Sequence, residues 1–238
     1  MLRYFCALFL STTLIACTEL PAPDVSGPST AAANSDVDEL RGRAASYRAF
    51  VQVIETMEPV AEQECQRRTR GVNCDFLIVV DDERGKPANA FQTLDEDGRP
   101  VIIFRLALLN DARNIDEIAF LMGHEAAHHI EGHIARGQQN AVTGAVLLGD
   151  LATATGWSVA DVEHAQKWGA EFGARSYSKE FELEADALGA VITVRSGYSA
   201  LRGVQFFNRI PDPGDQFLGT HPPNAARLAT VARVAAGL

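Results

Sequence analysis

The sequence lacks a long run of basic residues. Against 31 Asp and Glu it carries 21 Lys and Arg, for a formal charge of −10, so neither nucleic acid nor an anionic membrane surface is favoured as a partner. It also lacks a second cysteine pair in its body. Of four cysteines, Cys6 and Cys17 lie near the N-terminus and only Cys65 and Cys74 follow, which argues against a cysteine-held metal. No apolar run after Cys17 reaches the length of about 20 residues that a spanning helix needs. The richest, Ala141 to Ala154, is interrupted by Gly144, Gly149 and Asp150 and reads as a packed helix. At 238 residues the chain can bury one substantial core, and it is too short for two large domains.

What the N-terminus does hold is an apolar stretch after Arg3 that ends in Leu14-Ile15-Ala16-Cys17. Residues 1–16 read as a secretory signal peptide. A small residue directly before Cys17 resembles a bacterial lipoprotein signal, in which the cysteine receives a lipid and becomes the new N-terminus. An ordinary cleaved signal or a short anchor is the other reading. Thr18 stands where an inner-membrane retention signal places Asp, which points to the outer membrane and a periplasmic domain. Residues 17–36, rich in Pro, Ala, Ser and Gly, are expected to form a flexible tether, with residues 37–238 as the folded domain. In an oxidising compartment Cys65 and Cys74 are an even pair, and a disulfide between them is expected, two buried thiols being the alternative.

Within that domain, Leu40, Tyr47, Phe50, Val51 and Ile54 recur at helical spacing, predicting one long or two short helices up to about Arg70, with Pro59 as a break or kink. Three short β-rich runs follow, Phe76–Val80, Asn89–Thr93 and Val101–Phe104, separated by the turn-forming segments Asp81–Pro87 and Asp95–Gly98. They predict a small antiparallel sheet. Beyond Asn114 the pattern turns helical, with Asn114 as N-cap and Asp116 and Glu117 in a first turn that suits acids. The expected fold class is therefore α+β, mostly helical.

Inside the helix that starts near Ile115 lies His124-Glu125-Ala126-Ala127-His128. Residues four apart share a helical face, so both imidazoles can reach one ion while Glu125 projects beside the open position. Zinc accepts neutral histidine nitrogens, and Glu125 is placed to act as general base on a water and then to pass the proton on. A third ligand has to come from elsewhere. A Glu nineteen positions after His128 is ruled out because Leu147 stands there, and a Gly and His three and six positions after it are ruled out by Glu131 and Ile134. Downstream, Glu182 and Asp186 share a face of a second helix. Glu182 can bind the metal while Asp186 accepts a hydrogen bond from a ligating histidine. Glu184 points to another side. His129 and His133 occupy other faces of the first helix and read as exposed or structural, and His164, Trp157 and Trp168 as surface or packing residues.

Taken together, HExxH at 124–128, ExExAD at 182–186, Asn89-Ala90-Phe91 before a strand, and Thr220-His221-Pro222 followed by Arg227 resemble the zinc peptidases that include HtpX, the CAAX prenyl proteases and BepA. The resemblance spans about residues 40–236. It implies a zincin-type helical metallopeptidase domain with one Zn2+, held by His124, His128 and Glu182, with Asp186 behind a ligand. It gives His221 the role of a fourth ligand, a gate or a transition-state donor, and makes Val101, Ile102, Ile103 and Phe104 the edge strand along which an extended substrate pairs. The absence of later spanning segments matches the soluble periplasmic branch. The function so implied is a zinc endopeptidase of the bacterial envelope, membrane-bound only through its N-terminal lipid and acting on unfolded or misassembled proteins. Its rivals are a chaperone-like client-binding lipoprotein with a latent zinc site, and a structural lipoprotein with no metal.

Overall fold

The computed structural model describes residues 42–214, 216 and 219–238, and the expected signal peptide, Cys17 and the tether lie outside these residues. The first element, α1 (Arg43–Arg68), buries a stripe of Phe50, Val53, Met57, Ala61 and Cys65 at the three- and four-residue spacing of one helical face. It runs unbroken through Pro59. A proline in a helix interior costs about 3 kcal/mol, but Pro59 is exposed on the outer face while the stripe on both sides of it is held in the core. The expected break is therefore absent. At the end of α1, Cys65 and Cys74 form a disulfide with a Cα–Cα distance of 5.7 Å, which ties the helix to the segment entering the sheet.

Three strands follow, β1 (Leu77–Asp81), β2 (Ala90–Leu94) and β3 (Pro100–Arg105). Their spatial order is β1-β3-β2, with β1 parallel and β2 antiparallel to β3. The sheet is thus mixed, where the sequence predicted an antiparallel one, and Val101–Phe104 is the middle strand, paired on both sides, where an edge strand was expected. The reason is visible in the residues. Pro100, Val101, Ile102 and Phe104 are buried, and a continuous apolar run belongs in a strand covered on both faces. β1 and β2 are only half-buried and take the edges. The β2–β3 hairpin closes at Asp95–Gly98, where the Gly98 N–H donates to the Asp95 carbonyl.

After the short α2 (Leu106–Asp111) comes α3 (Ile115–Ile130), capped by the Asn114 side chain on the Glu117 N–H. Every residue from Asp116 to Ala127 is buried, so α3 is the central helix and no solvent face remains on this stretch. Its buried acids are paired: Glu117 holds Arg209 through both carboxylate oxygens, and Asp116 accepts from the Ser199 N–H. Gly132, at φ 67°, ends α3 in the left-handed conformation that favours glycine and turns the chain into α4 (His133–Ala154). With α5 (Val159–Ser176), α4 makes a hairpin. The stretch Ala141–Ala154 is helical as expected, although Val142, Val146, Leu147 and Leu151 face outward along with Trp157 and Trp168. No described helix is long and apolar enough to cross a membrane.

The chain then enters α6 (Ser178–Arg195), α7 (Ala200–Gly203), a 3-10 turn (Val204–Asn208) and α8 (Asn224–Ala235). α6 crosses α3 at Gly123 and Gly189. A Cβ on Gly189 would lie 2.8 Å from the His124 backbone nitrogen, and one on Gly123 would lie 2.8 Å from the Gly189 carbonyl oxygen. Two residues without side chains let the helices touch backbone to backbone. α8 supplies the buried Arg227.

Candidate active site

The two histidines of the α3 motif point the same way because they stand one helical turn apart. Their Nε2 atoms are 3.0 Å from each other. From α6, Glu182 brings its Oε1 to 3.3 Å from His128 Nε2 and its Oε2 to 3.6 Å from His124 Nε2. Around a tetrahedral ion at about 2.0–2.1 Å, ligand atoms stand about 3.3 Å apart. Two imidazoles and one carboxylate therefore converge at the spacing of a shared ion, and among the described residues they are the group able to hold one. The donor set, neutral nitrogens and a carboxylate oxygen, is one that zinc accepts.

Burial alone would raise the pKa of Glu182. The hydrogen bonds with His128 and His221 and the charges of His124 and Arg227 outweigh it, and the carboxyl is held well below its ordinary range. It is a full negative charge at neutral pH. Asp186, one turn further along α6 and fully buried, lies 3.0 Å from His124 Nδ1. Arg227 donates to it twice, from Nε at 2.8 Å and from Nη2 at 2.7 Å, while its guanidinium stacks over Phe207 at 3.6 Å. Burial pushes Asp186 up, and these partners bring it below the usual carboxylate value. With Asp186 accepting from Nδ1–H, His124 presents its Nε2 lone pair to the ion site.

Glu125, also buried, lines the same cleft of about 610 Å³ as His124, His128 and Glu182. The far wall comprises Phe206, Phe207, His221 and Arg227. The near wall includes Ala88, Asn89, Ala90, Phe91 and Gln92, the start of β2 and the turn before it, and Val101–Phe104 take no part in lining it. His221 is exposed on one side, with Nδ1 3.2 Å from Glu182 Oε2, and that bond, the larger influence, raises its pKa against burial.

The comparisons with known sequences meet this geometry. The sequence profile of "Peptidase family M48" matches residues 49–235, a span that contains every residue of this cleft named above. The chain belongs to peptidase family M48. Two relatives carry similar sequences: the "Putative beta-barrel assembly-enhancing protease" of Vibrio cholerae, 30% identical over 111 residues or 42% of this chain, and the "Beta-barrel assembly-enhancing protease" of Escherichia coli O157:H7, 27% identical over 170 residues or 65% of this chain. The matches span 22% and 33% of those proteins' own lengths.

As a member of M48 the chain is of a metallopeptidase family, and residues expected from the sequence fall into one place: His124, Glu125, His128, Glu182 and His221 line this cleft, with Asp186 buried behind His124. Three neighbours were not expected. His133, read as exposed or structural, is buried with its Nδ1 2.8 Å from His128 Nδ1. Its Nε2 lies 3.0 Å from Glu184 Oε2, and Arg136 Nη1 donates to the same oxygen. Burial, opposed by Glu184, lowers the His133 pKa to about 4. Counting faces around one helix placed His133 away from His128, and the count fails because α3 stops at Gly132. Gly132, four residues after His128, was the available signal. His129, by contrast, turns outward to Phe76 and the Asn73 carbonyl.

Proposed function

We propose that the chain is a zinc-dependent endopeptidase. The observation that carries this reading is the convergence of His124, His128 and Glu182 on one point beside Glu125, in a cleft open along a sheet edge. Held by His124, His128 and Glu182, zinc would supply Lewis acidity toward a scissile carbonyl and toward a water beside it. The Glu125 carboxylate accepts a proton from the attacking water and delivers it to the leaving amine. Asp186 keeps His124 oriented, and Arg227, with the histidines, keeps Glu182 charged. His221, at the rim, is placed to donate to the oxygen that gains charge.

An extended substrate pairs with the free edge of β2. Among the described residues that strand is bonded on one side only, to β3, and its first residues line the cleft. Main-chain pairing tolerates varied side chains and suits unfolded clients. Together with the names of the two relatives and the N-terminal segment, this supports a role in the bacterial envelope: a periplasmic enzyme held to the outer membrane by lipid on Cys17 and acting on misfolded or misassembled proteins.

One observation favours a second reading. His221 Nδ1 stands 3.2 Å from Glu182 Oε2, and a histidine that took the remaining position of the ion would suit a protein that holds clients without cutting them. Zinc analysis of the purified chain and casein cleavage with and without chelator separate the two. An active peptidase carries one zinc, loses cleavage on chelation, and keeps zinc without cleavage in Glu125→Gln. A zinc-loaded protein that cuts no unfolded substrate even as His221→Ala is the client holder.

A further inference from the structure

Each histidine of the ion site has a second ring nitrogen facing into the protein, and the two are served differently. His124 has a carboxylate, Asp186. His128 has another imidazole. His128 Nδ1 and His133 Nδ1 stand 2.8 Å apart, so one proton lies between them and only one ring donates it. His128 Nε2 is the atom that faces His124 and Glu182, and a lone pair offered to a metal there leaves the ring proton on Nδ1. That proton donates to His133 Nδ1. His133, neutral, then carries its own proton on Nε2, which donates to Glu184 Oε2 at 3.0 Å. Glu184 is held in turn by Arg136 at 2.5 Å. With both rings neutral and the His128 Nε2 lone pair given to a metal, any other placement of the protons points two N–H groups at each other or two lone pairs.

We propose that His133, with Glu184 behind it, is the positioning residue of the metal site: it fixes His128 as the Nδ1–H tautomer and thereby directs its Nε2 lone pair at the ion. The proposal rests on the zinc reading above. The parts are packed on one another. His133 stacks on Phe181 with centroids 4.5 Å apart and 10° between planes, Arg136 covers the same ring at 4.3 Å, and Phe181 is the residue next to the ligand Glu182 on α6. The turn at Gly132 sets His133 at the head of α4, so the relay joins α3, α4 and α6 behind the ligands. Partners that orient a metal-binding histidine are worth about 10–100-fold in metal affinity.

The test measures zinc affinity by competition with a chelator of known strength, on the whole chain with wild type, His133→Phe, His133→Asn and Glu184→Ala. Phe keeps the stack on Phe181 and loses the acceptor. Asn loses the stack and places an amide oxygen where Nδ1 was. The expected order is a loss of about 10–100-fold for Phe, a smaller loss for Asn, and a loss of several-fold, about in line with a third-tier partner, for Glu184→Ala, whose half-exposed position leaves folding intact. Long-range 1H–15N correlation on the zinc-loaded wild type places a proton on His128 Nδ1. A purely structural histidine gives the reverse order, Phe tolerated and Asn damaging, and that result overturns the proposal, as does unaltered affinity in Phe or a His128 ring protonated on Nε2. A wild-type chain that binds no zinc at all overturns the zinc reading first and the relay with it.

Discussion

Gly189 sits where α6 presses on α3, and replacing it with alanine puts a methyl group into the contact that holds the two halves of the ion site together. The new Cβ would stand 2.8 Å from the nitrogen and 2.9 Å from the Cα of His124, and 3.1 Å from the carbonyl carbon of Gly123. These are backbone atoms that no rotamer change can move. Ordinary contact starts at 3.4 Å, so the helices have to part by about 0.6 Å, against a tolerance of about 0.2 Å for metal–ligand distances. Overpacking of this kind costs about 1–3 kcal/mol, and the gain in helix propensity returns up to about 1 kcal/mol. With the full propensity gain the net loss is up to about 2 kcal/mol, which lowers the melting temperature by up to about 8 °C for a domain of this size, and Glu182 tilts away from the histidines, weakening zinc by more than about tenfold. Gly137→Ala is the control. It lies inside α4 with nothing within 4 Å of the added Cβ, and it is neutral or stabilising. The assay is a thermal melt of the metal-free protein together with a zinc competition titration. A Gly189→Ala protein that melts at or above the wild type and binds zinc unchanged would refute the claim that this glycine contact sets the site.

Arg227→Met strips Asp186 of its two guanidinium bonds and strands a buried carboxylate, at a cost of about 3–5 kcal/mol. Urea denaturation reads it, and adding Asp186→Asn recovers part of the loss, whereas an unchanged midpoint contradicts the pairing. The double variant Cys65→Ser, Cys74→Ser loses about 2.5–3 kcal/mol in the chain-entropy account. Its zinc content stays at the wild-type level because the bridge lies outside the ion cleft, and zinc loss would show a coupling between the two. In the metal-free protein His133 has a folded pKa of about 4 against an ordinary 6.5. Between those values the unfolded chain takes up the proton and the folded one does not, so its contribution to stability is present above pH 6.5 and is lost as pH falls toward 4. His133→Phe flattens that part of the urea-midpoint curve, and an equally steep curve would refute the assignment.

The residues by themselves determined the chemistry that is local. HExxH on a helix puts two imidazoles on one face at 3.6 residues per turn, and ExxxD does the same for Glu182 and Asp186, so pairs within one helix were legible from spacing alone. So were the Asn114 cap, the turn at Asp95–Gly98, and the disulfide, the last because only one even pair of cysteines was available to the domain. Tertiary structure decided what depends on where elements end and who lies beside whom. Three β-rich runs carry no statement of their spatial order, and β3 became the middle strand because its apolar residues demanded cover on both faces, passing the free edge of the cleft to β2. Pro59 was tolerated because its ring faces water while its neighbours are anchored in the core. His133 came to rest against His128 because a left-handed glycine stopped the helix and turned the chain into α4. Periodicity reports direction only while a helix continues, and the contacts made after it stops are set by packing between segments far apart along the chain.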